Sequence, residues 1–191
     1  ILVASGEKIL PEIGNLGVHA KQTLQDSGVE IISKTKLEDA TKDSVKLSNG
    51  DEIPYGTLIW AGGNKVDDVI SSLDTEHHKN GSIIVDEYLR LQNNPDVFAL
   101  GDCAYIVDSR TDKPYPATAQ HAIREASHVA ANLINSIEGN DSLAKFVYDS
   151  KGSMAKIGKK NGVALVMGKE IKGFAAWFIW KQYYLSTLPT L

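Results

Sequence analysis

The pattern of apolar and polar positions predicts an alternation of strands and helices. Apolar runs at Ile1–Ala4 and Val29–Ser33 are typical of strands. The apolar spacing over Val18–Asp26 predicts a helix that Gly28 ends. A strand, a helix and a second strand within about 30 residues make a βαβ unit. This part of the chain is therefore expected to be α/β.

A hairpin and a buried strand are predicted next. Ser44–Ser48 alternates polar and apolar residues, Asn49-Gly50 is a strong hairpin turn, and Glu52–Tyr55 is the returning strand. Thr57–Ala61 is a mainly apolar run that Gly62-Gly63 ends. Such a run is typical of a strand that a sheet buries on both faces.

The later part of the chain contains both the alternating apolar pattern of strands and the apolar spacing of helices. The predicted elements are a short helix over Val66–Leu73, strands over Gly81–Asp86, at Val97, over Met154–Ile157 and over Gly162–Met167, a long helix over Ala117–Ile137 and an aromatic-rich helix over Phe174–Leu185.

Composition excludes several classes of protein. The 191 residues are 42% hydrophobic and 23% charged, which is ordinary for a globular chain, and the net charge of −4 does not favour a nucleic-acid partner. The single cysteine, Cys103, excludes an internal disulfide framework and a cysteine-cluster metal site, and no metal site is predicted. The longest apolar candidate, Gly173–Trp180, is too short to span a membrane.

Charge is unevenly distributed. Residues 151–191 carry seven lysines and one acid, Glu170, so the rest of the chain has a net charge of −10. Trp177 and Trp180 lie in the same basic tail. A basic, aromatic segment on an acidic body indicates contact with an anionic membrane surface. The alternative is a solvated basic face over a packed aromatic core.

The stretch Val97–Ala104 carries the most specific signal. An apolar run leads into Gly101-Asp102, and the long predicted helix begins shortly afterwards. Flavoenzymes with two dinucleotide folds use this arrangement to bring a carboxylate to the ribityl chain of FAD, and glycine lets the backbone approach the cofactor. Gly-Asp after a strand is also an ordinary turn.

These elements, in this order, resemble the pyridine nucleotide-dependent flavoprotein superfamily. Within it the chain resembles the type II NADH dehydrogenases, which are single-subunit NADH:quinone oxidoreductases. The resemblance rests on three motifs in family order: Thr57–Gly63, Leu100–Ala104 and Pro116–Ala122. It covers the second half of a family member. The predicted fold class is α/β, namely the C-terminal part of a two-dinucleotide-binding-domain, Rossmann-like flavoprotein plus a small C-terminal α+β region.

The resemblance implies FAD and NAD(P)H as cofactors. It assigns Gly101, Asp102, Ala119 and Gln120 to FAD, with the start of the long helix stabilising negative charge on the reduced flavin. It assigns Ala61, Gly62 and Gly63 to NAD(P)H. The acid that the family places on the adenosine ribose has Ala4 or Ser5 at its position here, with Glu7 nearby, so the choice between NADH and NADPH stays open.

Three residues are candidates for contact with a quinone. Gln120 is implied by the family, Arg124 stands where the family often has a second glutamine, and Lys151 matches a lysine that approaches the flavin–quinone site. No residue is assigned a direct catalytic role. His121 and Glu125, four residues apart, are predicted to form a surface ion pair, with catalysis as the alternative. Cys103 is predicted to be a small buried residue.

Three regions are predicted from these motifs. Residues 1–63 are expected to be the C-terminal half of the NAD(P)H-binding domain and residues 64–148 the C-terminal segment of the FAD-binding domain. Residues 149–191 are expected to be a C-terminal membrane-contact or dimerisation region. The protein is expected to be a homodimer at the cytoplasmic face of the cell membrane, attached peripherally through residues 151–191. The chain alone is expected to bind FAD weakly or not at all and to be inactive.

Two other functions compete with this interpretation. One is a related flavoenzyme, such as a sulfide:quinone oxidoreductase or an NAD(P)H-dependent ferredoxin or thiol reductase. Sulfide oxidation requires a cysteine pair, and this chain has one cysteine. The other is a non-catalytic module that contacts a membrane or a second copy through residues 151–191.

Overall fold

The computed structural model describes residues 1–63, 65–140 and 142–188. The chain forms two compact units, Ile1–Trp60 with Ser150–Leu191, and Ala61–Asp149. Asn64, at the predicted boundary between the first two regions, lies outside the described residues, as do residues 141 and 189–191. The roles assigned to the three predicted regions stay predictions.

The first unit begins with the predicted βαβ arrangement. Strand β1 (Leu2–Val3) pairs in parallel with β2 (Ile31–Ile32), and helix α1 (Asn15–Asp26) connects them. Gly28 follows the helix with a φ of 84°, a conformation that glycine adopts without strain. The predicted strands and helix are confirmed, with the helix beginning three residues earlier than predicted.

The predicted hairpin is also confirmed. Strands β3 (Leu37–Ala40), β4 (Ser44–Leu47) and β5 (Glu52–Pro54) form an antiparallel sheet. At the turn between β4 and β5 the Asn49 side-chain amide donates to the Asp51 carboxylate at 2.7 Å, and Gly50 has a φ of 92°. Gly50 alone takes the left-handed conformation here, as in the longer hairpin loops that end in one such residue.

The prediction of a buried strand over Thr57–Ala61 is wrong. The segment is irregular, and the side chains of Ile59 and Trp60 are 82% and 68% exposed. A strand needs a neighbour for its backbone groups, and no described strand pairs with these residues. Hydrophobicity alone therefore misassigned the segment.

The second unit surrounds one apolar cluster. Its elements are α2 (Asp68–Ser71), β6 (Ile83–Ile84), β7 (Ala104–Tyr105), β8 (Val107–Asp108), β9 (Lys113–Pro114) and α3 (Ala119–Ile137). Strands β6 and β7 are parallel. Leu89, Ala99, Ile106 and Val129 are buried together in the cluster. The predicted long helix is confirmed, and it lies with Val129 against this core.

The first unit is completed by a three-stranded antiparallel sheet and a helix. These are β10 (Gly152–Gly158), β11 (Asn161–Val166), β12 (Lys169–Lys172) and α4 (Gly173–Ser186). Val163 of the sheet is fully buried against Leu16 and Ala20 of α1. Strand β12 was not predicted because Lys-Glu-Ile-Lys offers a single apolar residue. No described helix is both long enough and apolar enough to cross a membrane.

Candidate functional site

The Gly101-Asp102 motif forms a tight turn between two extended segments. Ala99 donates its N–H to the Leu89 carbonyl at 3.0 Å, and Gly101–Cys103 then makes one 3₁₀ turn that leads into β7. Gly101 has a φ of 68°, which side chains disfavour. The motif thus requires glycine for its conformation, and it leaves Asp102 exposed at the surface of the unit.

Helix α3 begins beside this turn. Thr118 caps it by accepting from the His121 N–H, and the first helical residues are Ala119 and Gln120. A Cβ on Gly101 would lie 3.6 Å from the Ala122 Cβ, so the turn and the first helical residues are in contact. The unpaired N–H groups of a helix start favour negative charge.

A buried carboxylate joins the turn to the helix. Glu125 is 3% exposed, and its Oε2 accepts the Gly101 N–H at 2.7 Å. Burial raises the pKa of Glu125 above its ordinary value, the bond from Gly101 opposes that shift, and the negative charge of Asp102 adds to it. Gly101-Asp102 is therefore fixed by a side chain 24 residues later in the chain.

The prediction of a surface ion pair between His121 and Glu125 is wrong. His121 is 5% exposed, and its Nδ1 lies 2.7 Å from the Thr118 Oγ1, whereas Glu125 is bonded to Gly101. Burial lowers the pKa of His121, which disfavours the imidazolium that an ion pair requires. Both residues lie on the inner face of α3, where each bonds to a neighbour outside the helix.

Gln120 and Arg124 meet at a third side chain. The Gln120 amide donates to the Tyr148 hydroxyl at 2.5 Å, and the Arg124 guanidinium carbon lies 6.0 Å from the centre of the Tyr148 ring. The ring of His121 packs edge-on against Tyr148 at 5.2 Å. Amide, phenol and guanidinium groups are thus adjacent near the beginning of α3.

Hydrogen bonds at Tyr148 and at the next residue hold this segment in place. The Tyr148 N–H donates to the Tyr115 hydroxyl at 3.1 Å. The next residue, Asp149, accepts from Arg110 at 2.9 Å, and Arg110 also binds Asp108 at 2.8 Å. The Arg110 guanidinium holds the pKa of the Asp108 and Asp149 carboxyls below their ordinary values. The segment that carries Tyr148 is therefore anchored.

The other residues predicted to contact a cofactor or a quinone are exposed. Lys151 belongs to the first unit, where its side chain is exposed and its carbonyl accepts the Met167 N–H at 3.0 Å. Ala61, Gly62 and Gly63 are exposed in an irregular segment, and Gly63 has a φ of 103°. The structure thus brings together the predicted residues of the Gly101 turn and of the α3 start, with Gln120 and Arg124 sharing Tyr148.

The carboxyl ends of β1 and β2 form a separate polar edge. The Lys34 Nζ lies 3.3 Å from the Glu7 Oε1, and both side chains are mostly exposed. Glu7 also lines a cavity of about 290 Å³ together with Lys8 and Lys21. Glu7, the nearby acid considered for the adenosine ribose, is therefore paired with a lysine in this structure.

Two residues of the site were missed by sequence reasoning. The burial of Glu125 carries no apolar signal in the sequence, because most buried residues of α3 are themselves polar: His121, Glu125 and Asn132. Tyr148 was overlooked, although Phe146 and Tyr148 alternate with polar or exposed residues, as expected for an extended segment with one inner face. Cys103 is half-buried and donates its thiol to the Leu100 carbonyl at 3.1 Å. Among the described residues, no group of three or more His, Cys, Asp or Glu side chains is placed to hold a metal ion.

Comparison with known families agrees with this arrangement. The family model for pyridine nucleotide-disulphide oxidoreductase matches residues 1–126, which include β1, the Gly101 turn and the start of α3. The chain belongs to the pyridine nucleotide-disulphide oxidoreductase family. The predicted superfamily is confirmed.

Curated relatives narrow the resemblance. The chain is 32% identical to a probable NADH dehydrogenase of Dictyostelium discoideum over 100% of its own length and 42% of the relative. It is 36% identical to the mitochondrial internal alternative NAD(P)H-ubiquinone oxidoreductase A1 of Arabidopsis thaliana, over 88% of this chain and 36% of that one. The predicted resemblance to type II NADH dehydrogenases is confirmed. The chain spans less than half the length of these relatives.

A solved structure supports the fold. The structure of NDH2 from Plasmodium falciparum in complex with NADH superposes with a TM-score of 0.85 at 20% identity, over 97% of this chain and 54% of that one. The predicted fold class, a partial two-dinucleotide-domain α/β protein, is confirmed.

Proposed function

We propose that the whole protein carrying this chain is a flavin-dependent oxidoreductase that passes electrons from a nicotinamide dinucleotide to a quinone. The observation that carries the proposal is the exposed Asp102 on the Gly101 turn, held against the start of α3 in a chain of this family. The curated relatives named for NADH or NAD(P)H–ubiquinone oxidation support the same reaction class.

The residues present fit FAD. Asp102 offers an exposed carboxylate that accepts hydrogen bonds from ribityl hydroxyls, and the start of α3 at Ala119 and Gln120 supplies N–H donors and positive potential. Gly101 also gives the turn the positive φ of 68° that it requires before Asp102. When bound, FAD supplies the hydride and electron chemistry, and these residues bind it and favour its negative charge.

The cluster of Gln120, Arg124 and Tyr148 is the proposed quinone contact. The Tyr148 hydroxyl and the Gln120 amide are hydrogen-bond donors suited to a quinone oxygen, and Arg124 brings positive charge that favours an oxygen gaining electron density. Lys151, whose side chain is exposed, is proposed separately, on the family resemblance alone.

The first experiment uses the whole protein. Its flavin absorbance is recorded, then bleached with NADH and followed with and without a soluble quinone. Rapid bleaching with quinone-dependent recovery is expected. Asp102→Ala should weaken FAD binding about 10- to 100-fold because a charge-assisted hydrogen bond is lost. Asp96→Ala is the control, because it removes another exposed carboxylate of the same unit.

The outcomes distinguish the competing functions. Bound flavin that NADH does not reduce but sulfide does would move the protein to a sulfide:quinone oxidoreductase. Protein without flavin, with Asp102→Ala behaving like the wild type, would favour the non-catalytic module.

The nucleotide preference is a separate proposal. We infer that the site takes NAD(P)H without strong discrimination, because Ala4 follows β1 in place of an acid and the nearby Glu7 is paired with Lys34. Rates with NADH and NADPH should differ by less than about tenfold, since the contact that discriminates them is absent. A Lys34→Gln variant, which frees Glu7, should shift the preference toward NADH.

Attachment to an anionic membrane through residues 151–191 is also proposed. The outer surface of α4 exposes Phe174, Phe178 and Tyr184. Lys172 precedes them in the sequence, and Lys181 lies between Phe178 and Tyr184. Aromatic rings and lysines together suit a lipid interface. The double variant Phe174→Ser/Phe178→Ser should reduce sedimentation with anionic vesicles, whereas Ile123→Ser in the other unit should not.

The same double variant also tests the proposed homodimer. If these aromatic side chains join two copies, the variant should halve the mass measured by light scattering in the absence of lipid.

A further inference from the structure

The most deeply buried acid among the described residues lies directly behind the proposed flavin motif. Glu125 sits on the inner face of α3, one helical turn before Val129 of the apolar core. Burying a carboxylate is unfavourable unless it is hydrogen-bonded. The Glu125 carboxylate accepts a hydrogen bond from the Gly101 N–H, at 2.7 Å.

That bond secures a backbone group that regular structure does not pair. Gly101 follows the extended residues Ala99 and Leu100 and has a φ of 68°. The extended conformation ends there, so the Gly101 N–H makes no strand-to-strand hydrogen bond. An unpaired backbone N–H that is shielded from water destabilises the folded state. A carboxylate oxygen is a strong acceptor for such a group.

The bond also restrains the turn that carries the next side chain. Asp102 follows Gly101 immediately, within the same 3₁₀ turn, so holding Gly101 holds the backbone from which the Asp102 carboxylate projects. The two carboxylates are close enough for the charge of Asp102 to act on Glu125. Glu125 thus bears a repulsion that an apolar residue at this position would avoid.

We propose that Glu125 is a positioning residue for flavin binding, which holds Gly101 by its N–H and thereby aims the Asp102 carboxylate at the cofactor. The inference rests on the proposed function, since it assumes that Asp102 receives FAD. Glu125 itself, 3% exposed, acts through Gly101.

The test measures FAD affinity of the whole protein after flavin removal, together with amide hydrogen exchange at Gly101 and Asp102 in the flavin-free form. Glu125→Gln keeps an acceptor oxygen and should bind FAD within about threefold of the wild type. Glu125→Met, of similar size but without an acceptor, should weaken FAD binding by about tenfold or more and speed exchange at Gly101 by a similar factor. Glu125→Asp keeps the charge but shortens the reach, and should fall between them.

Asn132→Ala is the matched control. Asn132 is also buried on α3 and bonds backbone, but at Ala144. Its loss should speed exchange near Ala144 and leave FAD affinity unchanged. The inference is overturned if Glu125→Met and Glu125→Asp bind FAD like the wild type, or if Asn132→Ala weakens binding as much as they do. If Glu125→Met does not fold, Glu125→Asp decides. A wild-type protein that never binds flavin would instead refute the proposed function.

Discussion

The two long helices of the molecule bury opposite kinds of side chain. Three of the four buried residues of α3 are polar, and each bonds a group outside the helix: His121 to Thr118, Glu125 to Gly101 and Asn132 to Ala144. The inner face of α4 carries Ala176, which is fully buried against the sheet. Polar groups on α3 therefore fix loops, whereas α4 is held by close packing.

The difference separates positioning from attachment. A buried hydrogen bond is directional and is costly to break, so α3 can hold the Gly101 turn and the segment before Tyr148 in defined places. Packing of small residues is less directional, and it leaves the large aromatic side chains of α4 on the outside, where Phe174 and Phe178 are exposed. Under the proposed function, cofactor binding would depend on α3 and surface contact on α4.

Gly162→Leu is expected to give the largest effect. A Cβ at Gly162 would lie 3.0 Å from the Ala155 carbonyl oxygen and 3.2 Å from the Trp177 nitrogen, both backbone atoms. A leucine must push α4 away from β11, at a cost of about 3 kcal/mol or more in the free energy of unfolding. Amide exchange in α4 should rise, while α3 stays protected.

Gly158→Ala is the control for that variant. A Cβ at Gly158 meets no atom within 4 Å, so the free energy of unfolding should change by less than about 1 kcal/mol. Equal losses at both glycines would show that α4 is not held by this close approach.

Asn132→Ala should be the next largest effect and should act on the other helix. The amide makes two bonds with the backbone of Ala144, both at 2.9 Å, and alanine leaves the N–H and carbonyl of Ala144 without them. A loss of about 2–4 kcal/mol is expected by urea unfolding, with faster exchange at Ala144. The half-buried Asn135→Ala, which loses one solvent-exposed bond to the Ser142 carbonyl, should cost about 0.5 kcal/mol.

Local sequence signals predicted much of the fold. The βαβ unit around α1, the Asn49-Gly50 hairpin and the long helix α3 depend on residues close in sequence, so apolar periodicity and turn chemistry were sufficient. The prediction of a strand over Thr57–Ala61 failed because a strand needs a pairing partner that is distant in sequence. Apolar periodicity does not reveal whether such a partner is present.

In the candidate site, too, residues adjacent in sequence were predicted, and contacts between residues distant in sequence were missed. Gly101-Asp102 was recognisable because its residues are adjacent. The partner of Gly101 is 24 residues away, and Tyr148 lies 28 residues beyond Gln120. Helical spacing placed His121 and Glu125 on one face but did not tell whether that face was exposed, so the ion pair was assigned to the surface.

Lowering the pH should destabilise α3 before α4. Burial lowers the pKa of His121 from 6.5, so its contribution to stability is complete above 6.5 and is lost as the pH falls through that value toward the lowered pKa. Helix α4 contains no histidine or acid. The free energy of unfolding of the wild type and of His121→Gln should be measured with urea above and below pH 6.5. As the pH falls, the wild type should lose more of this free energy than the variant.

Glu125 should produce the opposite slope. Its pKa is raised from 4.5, so ionisation costs stability as the pH rises from 4.5 through the raised pKa. Glu125→Gln should remove that decline. If the free energy of unfolding of the wild type and of both variants changed with pH in parallel, the assignment of these two side chains to the buried face of α3 would be contradicted.

The smallest effect on stability is expected at the outer face of α4. Phe178 is 49% exposed, and its ring contact is with Phe174 at 6.3 Å on the same helix. Phe178→Ser should therefore change the free energy of unfolding by less than about 0.5 kcal/mol, although it removes a large apolar side chain. Val163→Ser, at a fully buried position of β11, should cost about 2–3 kcal/mol in the same assay and shows its sensitivity. A large loss at Phe178 would mean that the outer aromatic side chains of α4 support the fold, and the contrast with α3 would then no longer distinguish attachment from positioning.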